Sequence, residues 1–407
     1  MNERLWNQIL LMPSSNNLIE NITGDVLAGQ SVIVLLPIGV PGSPIIEELV
    51  RRLQAKNRQI QTVEGPFLST SNFAARVLGG VKAESAELSS ILADPSFPEI
   101  VLLECGTNKN SYVGDAITLV TEWARYAKQV TPGFGRICSL LLVINANNFT
   151  ISLPSIDTCL SIRWWWGLPS ELEVRLLNRL NLRDTSGVDD LWRECVVAAF
   201  GCGDAAITID MLEKPLLSFR DCIEYLRSYG SRSGIKPYIG KQNSSRPYVS
   251  RSPPDHPDQR QINQWAEGQL ICSFEHGIEI HPSALTNTRE GEDELSRRLW
   301  RSQASLLLPM VDRIRGIVCR QLVRDYGNVW WDNLNCMPND ERDQKRLEAD
   351  PIDAELGLLV TLCRRSSPPL TLAHWDRSLE ISYDIRNTLA HYQPVTYAAM
   401  RGLLYSL

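Results

Sequence analysis

The segment Asp384-Ile385-Arg386-Asn387-Thr388-Leu389-Ala390-His391 places an arginine and a histidine five residues apart, with an asparagine beside the arginine. A guanidinium stays charged and offers a planar fork to phosphate oxygens. An imidazole titrates near neutral pH and can move protons. These are the groups that metal-free cleavage of an RNA phosphodiester asks for: a base for the ribose 2′-hydroxyl, an acid for the leaving oxygen, and a cation for the charge building on phosphorus.

An element has to position them. Residues 379–392 contain no Gly or Pro and are followed by Pro394, which predicts a helix ending just beyond the histidine. With Ile381 at zero and ~100° per residue, Ile385, Thr388, Leu389 and Tyr392 fall within roughly 80° of it, a band that predicts the core face. Arg386 falls near ~140°, Asn387 near ~240°, and Asp384 and His391 near ~300° and ~280°, on the outward half. Asn387 and His391 are four apart and within reach of each other.

This arrangement resembles the Arg-x4-His signature of the HEPN superfamily, with Arg386-Asn387 and Ala390-His391 matching its "RN..AH" form. The likeness covers about the last quarter of the chain. Residues 353–359 look like the helix that often precedes the signature helix, and 313–326 like an earlier one. The resemblance implies a small helical domain that acts as a metal-independent endoribonuclease, without a cofactor for that step. In that family the site is composite, built from the same motif on two facing subunits, which implies a homodimer or higher homo-oligomer. Arg386 would bind phosphate, His391 would be the acid or base, and Asn387 would orient the histidine or contact RNA. HEPN-like domains also serve as inactive dimerisation modules, so a non-catalytic, partner-binding scaffold stands as the alternative.

At 407 residues the chain is long enough for two or three domains, each with its own core. Hydrophobic content of 43% and charged content of 22% are ordinary for a globular protein and exclude disorder. A formal net charge of -6 argues against a broadly basic nucleic-acid binder. The one local basic run is Arg297, Arg298, Arg301, Arg313, Arg315, Arg320 and Arg324, with an acid-paired helix surface as its plainer reading. No signal peptide and no apolar run of spanning length is visible, which predicts a cytoplasmic protein with no membrane segment. The ten cysteines have no zinc-like spacing and read as reduced, buried small hydrophobes.

The amino-terminal half alternates strand and helix signals. The continuous apolar runs 31–37, 99–104 and 139–145 predict strands buried on both faces, with helices over 45–54 and 114–129, and hence a parallel sheet. The turn after the first run, Pro37-Ile38-Gly39-Val40-Pro41-Gly42-Ser43-Pro44, sits where a phosphate-binding loop would be. The order of segments resembles P-loop NTPases of the AAA+ or STAND type. Gly39, Gly42 and Ser43 lie at the loop's place, Glu104 at the end of the second apolar strand, and Asn145 or Asn147 at the sensor place. No lysine follows Gly42, and Pro44 stands near the magnesium-binding hydroxyl's place, so the resemblance implies a degenerate ATP or GTP site. An ordinary Gly/Pro turn is the competing reading.

Arg163-Trp164-Trp165-Trp166 cannot turn all its indoles one way, which predicts at least one tryptophan at an interface. Ser170 with Glu173 reads as a capping box opening a helix, and further helices are expected over 190–200, 207–217 and 222–229. A Gly/Ser/Pro-rich stretch follows as a linker. Residues 268–281 read as a hairpin flanked by His276 and His281, taken as polar surface rather than metal ligands.

The sequence thus predicts an α/β plus all-α chain: a degenerate NTPase-like domain over 1–160, a helical lid over 161–230, a linker over 231–262, and a hairpin with a HEPN-like helical domain over 263–407. Proteins resembling that pairing are often toxin-like or anti-phage defence components, implying RNA as substrate and a protein partner of such a system. A nucleotide-sensing switch merely assembled by the HEPN-like part is a third reading.

Overall fold

The computed structural model describes residues 3–65, 73, 77, 97–104, 111–129, 138–145, 153–181, 187–238, 255–338 and 340–406. Asn147 and half of the expected linker, 239–254, lie outside them.

The chain divides into two compact units that interleave in sequence. The first comprises Met1–Leu177, Gly201–Asp210 and Arg227–Ala284; the second comprises Asn178–Phe200, Met211–Leu226 and Leu285–Leu407. The boundaries expected at 160, 230 and 262 differ from this division. The stretch from 227 through the hairpin stays with the sheet, and the hairpin residues Leu270 and Cys272 belong to the same apolar core as Ile33 and Leu142.

In the first unit, helices α1 (Glu3–Leu11) and α2 (Pro13–Leu27) lead into strand β1 (Ser31–Leu36). Helix α3 (Gly42–Ala55), β2 (Ile60–Glu64), β3 (Ile100–Glu104), α4 (Ser111–Gln129), β4 (Ser139–Asn145) and β5 (Leu160–Trp164) follow. The five strands form one parallel sheet in the order β2-β3-β4-β1-β5. Every residue of β1 is buried, as the uninterrupted apolar run predicts for a strand covered on both faces. Helices α2 and α3 pack on one face of the sheet. Helix α4 covers the other, where Trp123 is fully buried and donates from its indole to the Cys138 carbonyl at 2.8 Å. The connections leaving β1 and β3 therefore run to opposite faces. In open parallel sheets that divergence makes a crevice at the carboxyl ends of the strands.

Helix α5 (Glu171–Leu180) opens with the expected capping box. The Glu173 amide donates to Ser170 Oγ at 3.3 Å, and the Ser170 amide donates to Glu173 Oε2 at 2.9 Å. Helices α6 (Gly187–Gly201), α7 (Ala205–Leu212) and α8 (Phe219–Ser233) follow, then the antiparallel hairpin β6 (Leu270–Ser273) and β7 (Gly277–Ile280). The tryptophans pack within the first unit. Trp165 and Trp166 are buried, and Trp164 stacks on His256 and meets Trp265 edge-on at 5.2 Å. Helix α8 runs on into the stretch read as linker, where Ile235 is buried and the Tyr238 amide donates to the Ala284 carbonyl.

The second unit is helical. Its long helix α9 (Arg289–Tyr326) starts at a Thr288 cap and ends at Gly327, whose φ of 81° is one that glycine adopts without steric penalty. Helices α10 (Glu341–Ala349), α11 (Leu356–Cys363), α12 (Asp376–Ala390) and α13 (Tyr397–Tyr405) complete it, with α12 packed against α9, α11 and α13. Among the described residues no helix is long and apolar enough to cross a membrane. The nine described cysteines are free thiols, all but Cys159 buried.

Candidate functional site

Helix α12 carries the Arg386/His391 pair. It buries Ser378, Leu379, Ser382, Ile385 and Leu389, so its inner face is rotated toward the two serines relative to the apolar band read from sequence. The helix stops at His391, and the expected inner residue Tyr392 lies off it and 70% exposed. Arg386 and His391 are exposed, and Asn387 is half-buried.

Arg386 Nη1 donates to Asn387 Oδ1 at 3.2 Å, and Nη2 stands 4.0 Å from Glu355 Oε2. Asn387 therefore engages the arginine. Among the described residues no hydrogen bond reaches the His391 ring; its backbone amide closes the helix onto the Asn387 and Thr388 carbonyls. Arg386 and His391 are ~140° apart around the helix axis. One chain thus brings Arg386 and Asn387 together and leaves His391 a turn away on another side.

Arg386 also lines a groove of about 290 Å³ with Asp312, Arg315, Arg346, Asp353 and Glu355. Arg346 pairs with Asp353 at 3.0 Å and Glu355 at 2.9 Å, and Arg315 pairs with Asp312 at 2.8 Å. Hydrogen bonds that the Arg346 guanidinium donates to Asp353 and then Glu355 push it above its ordinary pKa. Arg386 is the loosest held of the three cations and so the readiest to bind an incoming phosphate. Along α9, Arg297 and Arg298 pair with Glu294 and Arg324 with Asp325, which fits an acid-paired surface better than a continuous basic track.

At the sheet edge, Glu104 ends β3 in register with Glu64, and Asn145 ends β4 in register with Leu36. Asn145 Oδ1 is buried and, among the described residues, has no hydrogen-bond partner. Gly42 is the first residue of α3, capped by Pro41 with no side-chain bond, and Ser43 is exposed. Pro37, Pro41 and Pro44 lack the amide donors a phosphate loop uses. A Cβ on Gly39, at φ 88°, would come 2.8 Å from the Tyr229 hydroxyl, so protein already occupies the space against the loop. The cavity beside Pro37 and Ile38 is about 10 Å³, room for about one water molecule. These described residues bring the expected strand ends to one edge without a nucleotide-sized space at the loop.

The hairpin histidines are not surface groups. His281 is 2% exposed; its Nδ1 accepts the Ser283 amide at 3.1 Å, so Nε2 carries the proton and donates to Asp204 Oδ2 at 2.8 Å. Asp204 Oδ1 caps α7 through the Ala206 and Ile207 amides. His276 Nε2 lies 2.7 Å from Glu171 Oε2. Burial alone would raise the Glu171 carboxyl, but hydrogen bonds from His276 and Arg175 outweigh it and hold it at about 2. Among the described residues no cluster could hold a metal ion. Sequence reasoning missed the His281–Asp204 pair and the Arg315/Arg346/Glu355 groove, whose partners lie too far apart in sequence to leave a local pattern. No family model matches the chain, and no curated protein matches it.

Proposed function

We propose that the second unit is a metal-independent endoribonuclease of the HEPN type, with each chain supplying half of a composite site. The carrying observation is that α12 exposes both Arg386, the least engaged guanidinium of its groove, and His391, whose ring has no hydrogen bond among the described residues. Burial and packing do not account for either residue. Their ~140° separation supports a site closed by a second copy.

In the proposed reaction one His391 takes the proton of the ribose 2′-hydroxyl. The freed oxygen attacks phosphorus, and the P–O5′ bond breaks. The other copy's His391 gives a proton to the leaving 5′-oxygen, so a cyclic phosphate and a 5′-hydroxyl form. Arg386 stabilises the charge on the non-bridging oxygens. By analogy of domain pairing alone, the setting is a toxin-like or anti-phage effector.

The first unit fits a regulatory or partner-binding role better than hydrolysis, because its loop lacks lysine and three amide donors and is packed against Tyr229. That same observation favours the second reading, in which the whole chain is a non-catalytic scaffold. His391→Ala separates the two. The nuclease reading expects a loss of roughly 10²- to 10⁴-fold in RNA cleavage, together with lost toxicity on expression. Equal behaviour of variant and wild type, with RNA left intact by both, selects the scaffold.

A further inference from the structure

Helix α12 closes through a paired turn. The Gln393 amide donates to the Thr388 carbonyl and the Tyr392 amide to the Leu389 carbonyl, both at 3.1 Å. This Schellman closure requires a left-handed residue at the first position past the cap, normally glycine and sometimes asparagine. Here the position is Tyr392, at φ 61°. Among the described residues, three non-glycine residues have positive φ; the other two are Asn57 and Asn335, the type that tolerates it best. Tyrosine gains nothing from this backbone that glycine would not supply with less strain.

Nor does burial explain it, since the residue is 70% exposed. Its ring nonetheless has a partner on one side. It lies 4.9 Å from Trp300, whose indole is anchored by a 2.7 Å hydrogen bond to the Leu389 carbonyl. The outcome is an aromatic ring backed on one side and open to solvent, one residue from His391 and hence ~3.8 Å away along the backbone. Strained, exposed residues of this kind gather at functional positions.

We infer that Tyr392 is the stacking platform for the nucleobase borne by the ribose that His391 acts on, so the substrate is RNA presenting an unpaired base. The inference rests on the nuclease reading and adds a base-binding residue to it. A base hangs from the same ribose as the 2′-hydroxyl, so a ring beside the proton-transferring histidine is where that base must lie. Stacking is indifferent to base identity, because every base has a π face. The platform therefore selects single-stranded over paired RNA without a strong sequence preference. The phenol hydroxyl is not required, only the ring.

The test uses the full chain and a fluorescent single-stranded oligonucleotide with 2′-fluoro riboses, which binds without being cut. Tyr392→Gly removes the ring and relieves the backbone, so its Tm is expected to equal or exceed that of the wild type. Its Kd is expected to rise roughly 10- to 100-fold, as loss of one base stack implies, with a matching rise in KM for cleavable RNA. Tyr392→Phe retains the wild-type Kd. An abasic site at the stacked position weakens binding to the wild type and leaves Tyr392→Gly unaffected. If the wild type cleaves RNA while Tyr392→Gly binds and cleaves equally well, the platform is wrong and the nuclease reading survives. The platform is equally overturned if the glycine variant alters only the oligomeric state, which makes Tyr392 a contact between copies. A wild type that neither binds nor cuts single-stranded RNA ends both.

Discussion

Glu171 ties three things together at one point. Its carboxylate meets His276 at the hairpin turn and Arg175 one turn along α5, while the Glu275 carboxylate accepts the Glu171 amide at 2.9 Å. The hairpin is thus fastened to the start of α5. Because the folded carboxyl is held at about 2, below its ordinary 4.5, the pairing stabilises the fold fully above about pH 4.5 and is lost as pH falls toward 2. Glu171→Gln is expected to lower Tm by several degrees at neutral pH, on the scale of 2–4 °C per kcal/mol for a body of this size. That difference should shrink toward zero near pH 2–3, and thermal scans of both proteins across pH 2–7 check it. A gap that stays constant with pH would assign the effect to packing. At this scale the sequence displayed the Arg386/His391 spacing but not the long-range partners. His281 read as hairpin surface because its carboxylate, Asp204, is 77 residues away.

Whether an element was legible depended on how it is buried. Strands β1, β3 and β4 are interior and appear as continuous apolar runs. The edge strand β2, Ile60–Glu64, buries only Val63, and β5 carries Ser161 and Arg163, which bind Asp25. Neither offers an apolar run, so both escaped the pattern. The strand order, with β4 set between β1 and β3, is a property of pairing rather than of any local sequence. The inner face of α12 was misplaced because Ser378 and Ser382 are buried, and a hydrophobic wheel gives serine no weight. A glycine outside the apolar pattern also fixes an element. Gly203, at φ 78°, lies so close to β6 that a Cβ would come 2.3 Å from the Cys272 carbonyl oxygen. Gly203→Ala combines that clash with a left-handed backbone strain of ~1–2 kcal/mol. It should lower Tm by at least about 5 °C in a thermal melt, and an unchanged melt would show that the turn and hairpin can separate freely.

For the whole molecule, the sequence conveyed an α/β half and a helical half but not their interleaving. The second unit draws residues 178–200 and 211–226 from the middle of the chain, and no linker-like composition marks those crossings. Oligomerisation is the property on which the proposed nuclease depends most. If two copies share each site, RNA cleavage per chain falls on dilution below the dimer dissociation constant, approaching proportionality to concentration. Specific activity measured over a 100-fold dilution series tests this, and a flat profile would place a complete site within one chain.

Helix α9 has a proline at position 309, which lacks the amide that would bond to the Ser305 carbonyl one turn back. On the amino-terminal side of that gap, Trp300 holds the Leu389 carbonyl, while Gln303 clasps Val395 through both its amide and its carbonyl, at 2.7 and 2.9 Å. These contacts set the turn that displays His391 and Tyr392. On the carboxyl-terminal side, Asp312 and Arg315 belong to the groove that receives Arg386. Helix α9 is therefore tied to α12 on both sides of its missing hydrogen bond, at the turn after Leu389 on one side and beside Arg386 on the other. Because α12 is itself continuous from Asp376 to Ala390, it splints α9 across that gap, and a bend at Pro309 would have to break contacts on one of the two arms.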